Sequence, residues 1–312
     1  MASDTSSDAA HLSEQPLLLN VAYRLLGSLS EAEDVVQDAY VRWFGMSRQH
    51  RGAIVSRRAW LTTVTSRICL DVLRSARVRR EQYVGAWVPE PVHAPAEWPR
   101  LDGAADDPAE QIVLDESVTM AFLVVLETMS PAERVAFVLH DVYGYPFREI
   151  ADIVGRTPGA CRQLASSARA RVRRSTVPPS PSAEQAEVVR RFTAAFEASD
   201  IDALVGLLDP DATVTPDGGG RVAARTEPLR GAETIAAYLA DLVARAPATV
   251  RFRRRAVNGR PGLVGEQDGV VVTVFAFDVA RGRIRHIWAV RNPDKLRRWI
   301  ELAPAESEGF SG

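Results

Sequence analysis

The stretch SPAERVAFVLHDVYGYPFREIADIVGRTPGACRQLASSARARVRR, residues 130–174, carries the densest set of local signals in the chain. Ser130 before Pro131 opens a helix, since the hydroxyl can cap and proline needs no donor in the first turn. Gly144 marks a turn. Phe147, Ile150, Ala151 and Val154 then share one face of a short helix. Gly155-Arg156-Thr157 ends it, and Thr157 with Pro158 starts another. In that last helix Cys161, Leu164, Ala165, Ala168 and Val172 form an apolar stripe, leaving Arg162, Gln163, Ser166, Arg169 and Arg173 outside it with no acid among them. Two helices around a glycine turn, the second showing long polar side chains at its N-terminal end, fit the helix-turn-helix that enters a DNA major groove. Arg162 is then placed to read guanine and Gln163 adenine, with Arg156, Arg169, Arg171, Arg173 and Arg174 on phosphates. The other reading of this segment is a plain packed helical pair. His140 is read as a structural residue.

Charge along the rest of the chain is segregated. Residues 1–40 carry 1 cation and 7 acids, residues 41–80 carry 10 and 1, residues 81–116 carry 1 and 9, and residues 156–174 carry 6 and 0. The formal net charge of -2 conceals these blocks of alternating sign. Of 38 cationic residues, all but Lys295 are Arg. Phosphate recognition here therefore uses planar forks, although a GC-rich coding bias would leave the same mark. The 312 residues, 46% hydrophobic, suit two or three globular domains. Cys69 and Cys161 are too few for a disulfide framework and show no metal-ligand spacing. No membrane-spanning run and no signal peptide are seen, so a reduced, cytoplasmic protein is expected.

Before the helix-turn-helix lie two more helices. In SEAEDVVQDAYVRWF, residues 30–44, Ser30 with Glu33 reads as a capping box. Glu31, Asp34, Gln37 and Asp38 form the polar stripe, and Val36, Tyr40 and Trp43 the buried one. The stripe suits either docking on a basic partner or solvent. RRAWLTTVTSRICLDVLRSARVRR, residues 57–80, gathers Arg67, Arg74, Arg77, Arg79 and Arg80 with Trp60 at its start. Cations beside an aromatic platform are what single-stranded DNA requires. Gly45 to Arg57 reads as a basic loop able to form a pocket for a flipped base.

After Arg80 the sequence turns acidic and Pro-rich (WVPEPVHAPAEWPRLDGAADDP, 87–108), an extended linker. A second break, VPPSPS at 177–182, precedes one or two helices and then β-branched runs between Gly-rich turns, an α+β third part.

YRLLGSLSEAEDVVQDAYVRW, WLTTVTSRICLDVLRS and REIADIVGRTPGACRQLASSARARV, in that order, resemble extracytoplasmic-function sigma factors of group four across residues 13–174. WVPEP (87–91), DGGGR (217–221) and NPDKL (292–296) resemble the signature of the subfamily that carries a fused SnoaL-like domain. Val88 stands where Leu is common and Arg221 where Lys is common. The resemblance implies a multidomain protein: a sigma region two domain (13–81), the acidic linker (82–112), a region four helix-turn-helix (113–175) and a SnoaL-like α+β cone (182–303).

It further implies a sigma factor that binds core RNA polymerase and promoter DNA, with no cofactor, no catalytic residue and no separate anti-sigma protein. Asp34, Gln37 and Asp38 would meet the β′ clamp helices, and the β subunit is a further partner surface. Arg57, Arg58, Trp60, Arg67, Arg74 and Arg77 would capture the minus-ten strand. Arg156, Thr157, Arg162, Gln163, Ser166, Arg169 and Arg173 would read the minus-thirty-five duplex. The acidic linker would run in a polymerase channel lined for nucleic acid.

Trp87, Pro89, Glu90 and Pro91 on one side, and Asp217, Gly218, Gly219, Gly220, Arg221, Asn292, Pro293, Asp294 and Lys295 on the other, form the expected interdomain regulatory contact. Three glycines leave no side chains in the way of a close backbone approach. Two rival readings stand beside this: a ligand-sensing DNA-binding regulator that works without polymerase, and an isomerase or cyclase in the cone. The cone leaves room for a small ligand. An enzyme would need an acid or base facing the cavity, for which His286, Asp278 and Asp217 are the candidates; core packing is the alternative for His286.

Overall fold

The computed structural model describes residues 14–81, 83–93, 118–175 and 179–301. The described residues divide into two compact units, one built from residues 14–81 with 122–175, the other from residues 83–93 and 119–121 with 179–301.

The first unit is all helical. Helix α1 (Gln15–Leu26) ends at Gly27 in the left-handed conformation, φ 69°. Helix α2 (Leu29–Gly45) follows at once, α3 (Arg48–Gly52) is a single turn, and α4 (Arg57–Glu81) is the long basic helix. The expected basic loop from Gly45 to Arg57 is thus interrupted by helix, because the Ser47 hydroxyl accepts from the His50 N–H and caps a turn there. The start of α2 also differs from expectation. Its cap is Ser28, whose hydroxyl accepts from the Glu31 N–H at 3.4 Å, while Ser30 lies inside the helix and meets Ser28 side chain to side chain. Burying Leu29 in the first turn pulls the start two residues back.

Helices α5 (Met120–Glu127) and α6 (Pro131–Phe137) lead through a π-helical turn, Val138–Val142, to α7 (Phe147–Val154) and α8 (Pro158–Ser175). The local signals of the helix-turn-helix are all used. Ser130 and Glu133 form a reciprocal capping box. Gly155, at φ 72°, closes α7, and the Thr157 hydroxyl accepts from the Ala160 N–H at 3.2 Å. Ile150 and Val154 of α7 and Cys161, Ala165 and Ala168 of α8 are buried.

The second unit is a bent six-stranded sheet with helices on one face. Strand order is β2-β1-β6-β5-β4-β3, with β1 and β6 parallel and every other pair antiparallel. The strands are β1 (Leu208–Asp217), β2 (Leu229–Arg230), β3 (Val250–Val257), β4 (Arg260–Gln267), β5 (Val270–Ala280) and β6 (Arg283–Val290). Asn258-Gly259, Asp268-Gly269 and Arg281-Gly282 join the last four, every one of the six residues at positive φ. Two positive-φ residues make the hairpin turn whose twist matches the strands. Bulges near Leu208/Thr213, Gly265/Glu266 and Asp278/Val279 bend the sheet.

Helices α9 (Ser182–Glu197), α10 (Ile201–Leu207) and α11 (Ala232–Ala244) cover the concave side. Val188, Val189, Phe192, Ala195 and Phe196 of α9 fall at helical spacing on one face. Phe192 packs edge-on against Phe277 at 5.0 Å between ring centres, and Phe196 against Phe252 at 4.9 Å. A 3-10 turn, Pro293–Lys295, and α12 (Arg297–Glu301) finish the described chain.

The assignment of the cap is testable. Ser28→Ala should lower the stability of the helical unit by about 1 kcal/mol in urea unfolding, whereas Ser30→Ala should change it by less than about 0.5 kcal/mol.

Candidate polymerase and promoter surfaces, and a buried clamp on the linker

On α2, Asp34 and Gln37 are exposed, and Asp38 is half-exposed beside Arg42, their ion pair 2.9 Å long. The same flank carries two large apolar side chains turned to solvent, Val41 (62% exposed) and Phe44 (48%). Phe44 stacks on Tyr40. Asp34, Gln37, Val41 and Phe44 follow one another at three, four and three residues, so acid and apolar groups share one ridge. The signal for Val41 and Phe44 was present in the sequence: both fall on the polar stripe's own period.

Of the residues expected at the melted strand, Arg58 is exposed and Trp60 is half-buried against Trp43, 5.3 Å between ring centres. Arg57 pairs within the unit. Glu14 takes both its Nε and its terminal nitrogen, the latter at 2.7 Å, with both side chains mostly buried. Arg74 pairs with Asp71 in solvent. The side chains of Arg77, Arg79 and Arg80 lie outside the described residues.

On α8, Arg162, Gln163 and Ser166 are exposed at the reading end, with Arg162 over the Phe147 ring at 5.4 Å. Arg156, Arg173 and Arg174 are exposed and make no ion pair among the described residues. Arg169 and Arg171, expected on phosphates, also make contacts inside the unit. Arg169 donates to Asp141, and Arg171 donates to the Thr128 carbonyl at 2.9 Å and faces Glu133 at 3.6 Å. These acids precede the helix in sequence, which is why the acid-free helix looked wholly available.

The two halves of the helical unit exchange arginines at helix ends. Arg134 of α6, 3% exposed, donates to the Leu25 carbonyl at the C-terminus of α1 at 2.8 Å and pairs with Glu127. Burial pulls the Arg134 pKa down to about 9. Arg67 of α4 donates to the Asp152 carbonyl near the C-terminus of α7 at 3.0 Å. Each cation meets carbonyls that the helix leaves unpaired, at the negative end of its dipole. Arg24, also buried, donates to the Tyr143 hydroxyl at 3.1 Å.

The second unit contains a buried polar cluster around Asp217, the last residue of β1 and 1% exposed. Its carboxylate accepts from the Tyr83 hydroxyl at 2.5 Å, from the Val88 N–H at 3.1 Å, from the Gly219 N–H at 3.1 Å and from the Lys295 ammonium at 2.7 Å. Lys295 donates also to the Val88 carbonyl and stands 3.4 Å from the centre of the Trp87 ring. Asn292 donates to the Tyr83 hydroxyl at 2.9 Å. Burial and the hydrogen bond to Asp217 push the Tyr83 pKa upward.

Further along, the Trp299 indole donates to the Pro91 carbonyl at 2.9 Å. Asn258, in the β3–β4 turn, gives its N–H to the Val92 carbonyl and accepts from the Val92 N–H. Val88, Pro89, Glu90, Pro91 and Val92 are all buried. This stretch of the linker is thus fastened to the β-rich unit, next to the DGGGR and NPDKL segments it was expected to meet; residues 94–112, the rest of the linker expected in a polymerase channel, lie outside the described residues.

The glycines of DGGGR are needed where they stand. Gly219, at φ +59°, has no room for a Cβ, which would overlap the Asn292 amide. At Gly220, φ +69°, a Cβ would sit 3.0 Å from that of Val84. Arg221 makes an exposed pair with Asp294 at 3.3 Å. Tyr83, Trp299 and Asn258 were missed in the sequence, being tied to the cluster only by contacts more than a hundred residues distant.

The three acid–base candidates do not reach the cavity of this unit. Asp217 is held in the cluster. His286 and Asp278 face each other on adjacent strands, on the sheet side opposite Ile287, Ala289 and Phe277, which carry the core. The bulge at Asp278/Val279 resets the alternation that would have turned His286 inward. His286 sits between the Thr213 and Thr215 hydroxyls and stacks on Trp288 at 4.3 Å. Burial, and then Arg285, push its pKa down to about 4. Burial raises that of Asp278.

A region two helical bundle, a helix-turn-helix and a sheet-and-helix cone on one chain define a sigma factor with an appended domain. The model for Sigma-70 region 2 matches residues 11–79, that for Sigma-70 region 4 matches 119–172, and that for the SnoaL-like domain matches 189–300. The chain belongs to the extracytoplasmic-function (ECF) RNA polymerase sigma factor family. It is 40% identical to the ECF RNA polymerase sigma factor SigJ of Mycobacterium tuberculosis over 89% of each chain. With the probable ECF sigma factor SigI of that organism it shares 34% identity over 92% of this chain and 94% of the relative. The crystal structure of M. tuberculosis SigJ superposes with a TM-score of 0.71 and 36% identity, covering 93% of this chain and 98% of that one.

Two outcomes follow from the cluster and its neighbour. Asp217→Asn leaves the Lys295 charge buried without its counterion and should destabilise the β-rich unit by about 3–5 kcal/mol, read as a fall in calorimetric Tm. His286 is held neutral below its unfolded pKa near 6.5, so stability should fall as pH drops from about 6.5 toward 4, by at most about 1.4 kcal/mol per pH unit. His286→Gln should flatten that dependence in thermal melts at stepped pH.

Proposed function

We propose that this chain directs core RNA polymerase to a particular class of promoters, and that its SnoaL-like domain modulates this in cis through its hold on the linker. The observation that carries the reading is the α2 ridge, where Asp34, Gln37 and Asp38 lie beside exposed Val41 and Phe44 on the chain that also presents the bare reading end of α8. A duplex-binding regulator that works alone has no use for such a ridge. The acids fit a basic helical surface such as the polymerase β′ clamp helices, and the apolar pair supplies the dry centre that an interface needs.

In this reading Arg162 and Gln163 reach base edges of the minus-thirty-five element, with Arg156, Arg173 and Arg174 on phosphates. Arg58, Trp60 and Arg67 serve the minus-ten strand. Arg67 is spent on the Asp152 carbonyl in this arrangement, so seating on polymerase has to exchange that bond for DNA phosphate. Such an exchange is cheap, because Arg67 is exposed and the bond is single. The β-rich unit serves as regulator: the buried Val88–Val92 stretch fixes how much linker is left to span the two DNA-binding modules.

In vitro transcription with purified core polymerase and the full chain tests this. A promoter-specific transcript is expected, and Asp34→Arg should weaken retention on core roughly tenfold. Tyr83→Phe should change transcript yield severalfold with core retention unaltered. Tight, specific gel shift of promoter DNA by the free protein, with no transcript in the presence of core, would overturn the assignment in favour of a polymerase-independent regulator.

A further inference from the structure

The concave side of the β-rich unit holds a cavity of about 800 Å³, open to solvent on one side, a size typical of small-molecule sites. Leu242, Val250, Phe252, Val271 and Phe275 make its walls apolar. Its charged groups are of one sign. Arg225, Arg245 and Arg291 line it together with Tyr238, Gln267 and Thr273, and no carboxylate or imidazole does so among the described residues. Arg245 pairs with Asp241 in solvent and Arg291 donates to the Ala223 carbonyl, while Arg225 has no ion-pair partner among the described residues. The same three arginines and Asp241 are the charges felt by the Tyr238 hydroxyl, three cations against one acid.

We propose that this cavity binds an amphipathic anion, an apolar body with a carboxylate head, with the head among Arg225, Arg245 and Arg291. A neutral apolar ligand would leave the guanidinium groups unused, and a polar anion such as free phosphate would leave the walls bare. The site is joined to the linker clamp by covalent continuity. Val222 to Arg225 follow directly on DGGGR, and Arg291, Pro293 and Leu296 flank Asn292 and Lys295. The N–H groups of Arg291 and Asn292 both donate to the Asp217 carbonyl, at 2.7 and 3.0 Å. Anything that seats against these segments acts on the cluster that grips the linker, so anion occupancy and linker release are thermodynamically linked. This second part rests on the regulatory reading above, whereas the binding itself does not.

The test is calorimetric titration of the full chain, without polymerase, using dodecanoate and the uncharged dodecanol as probes. Dodecanoate is expected to saturate one site per chain, and dodecanol to bind at least about tenfold more weakly. Arg225→Ala with Arg245→Ala, both at exposed positions, should weaken dodecanoate about tenfold or more. Val270→Trp, at the exposed rim, should block it. Equal binding of the two probes, no saturable binding of dodecanoate, or indifference to these variants would overturn the site while leaving the promoter assignment untouched. Tyr83→Phe, which removes one hydroxyl from the clamp, should shift the dodecanoate Kd by roughly threefold or more through linkage. An unchanged Kd would overturn the coupling.

Discussion

A buried ion pair, Lys295 with Asp217, lies at the centre of the contact between the β-rich unit and the linker. Burying two charges is unfavourable unless every remaining lone pair and proton finds a partner. Here that condition is met largely by the linker itself: Tyr83 and Val88 supply donors to the carboxylate, the Val88 carbonyl takes a proton from the ammonium, and the Trp87 face covers it. Without the linker the pair would be a half-satisfied polar hole in the protein. The bound state of residues 83–92 is therefore built into the electrostatics of the domain, and is not merely an apolar strip lying on a sheet.

The choice of lysine follows from the same geometry. The compact ammonium meets the Asp217 carboxylate, the Val88 carbonyl and the face of the Trp87 ring from one atom, without the bulk of a guanidinium. In a chain that uses arginine at each of its other cationic positions, the one compact ammonium sits where a point charge with donors in several directions is required. The helical unit shows the opposite preference. Arg134 and Arg67 use long, flat side chains to reach helix-end carbonyls across a domain interface, where reach matters more than compactness.

The helix-turn-helix was legible because its signals are local. Ser130, Gly144, Gly155 and Thr157 each act on the residues beside them, and the structure uses all four. The start of α2 was not, since Ser28 with Glu31 and Ser30 with Glu33 have identical spacing, and only the burial of Leu29 separates them. Arg57, Arg169 and Arg171 were legible as cations, but their bonds inside the unit were not, because their partners Glu14, Asp141, Glu133 and Thr128 lie elsewhere in the chain. His286 went to the other sheet face through a bulge that alternation cannot foresee. In the clamp, the motif residues Asp217, Asn292 and Lys295 could be singled out, but Tyr83, Asn258 and Trp299 had no sequence feature that marked them.

The solitary lysine also gives the molecule a built-in chemical reporter. Lys295 carries the one side-chain amine in the sequence, and it is 5% exposed beneath Trp87 and Val88. An acylating or reductively methylating reagent that ignores guanidinium groups can modify that nitrogen only in molecules whose linker has lifted away. The rate of labelling at this single atom therefore measures how often the strap comes undone, in the free protein or on polymerase.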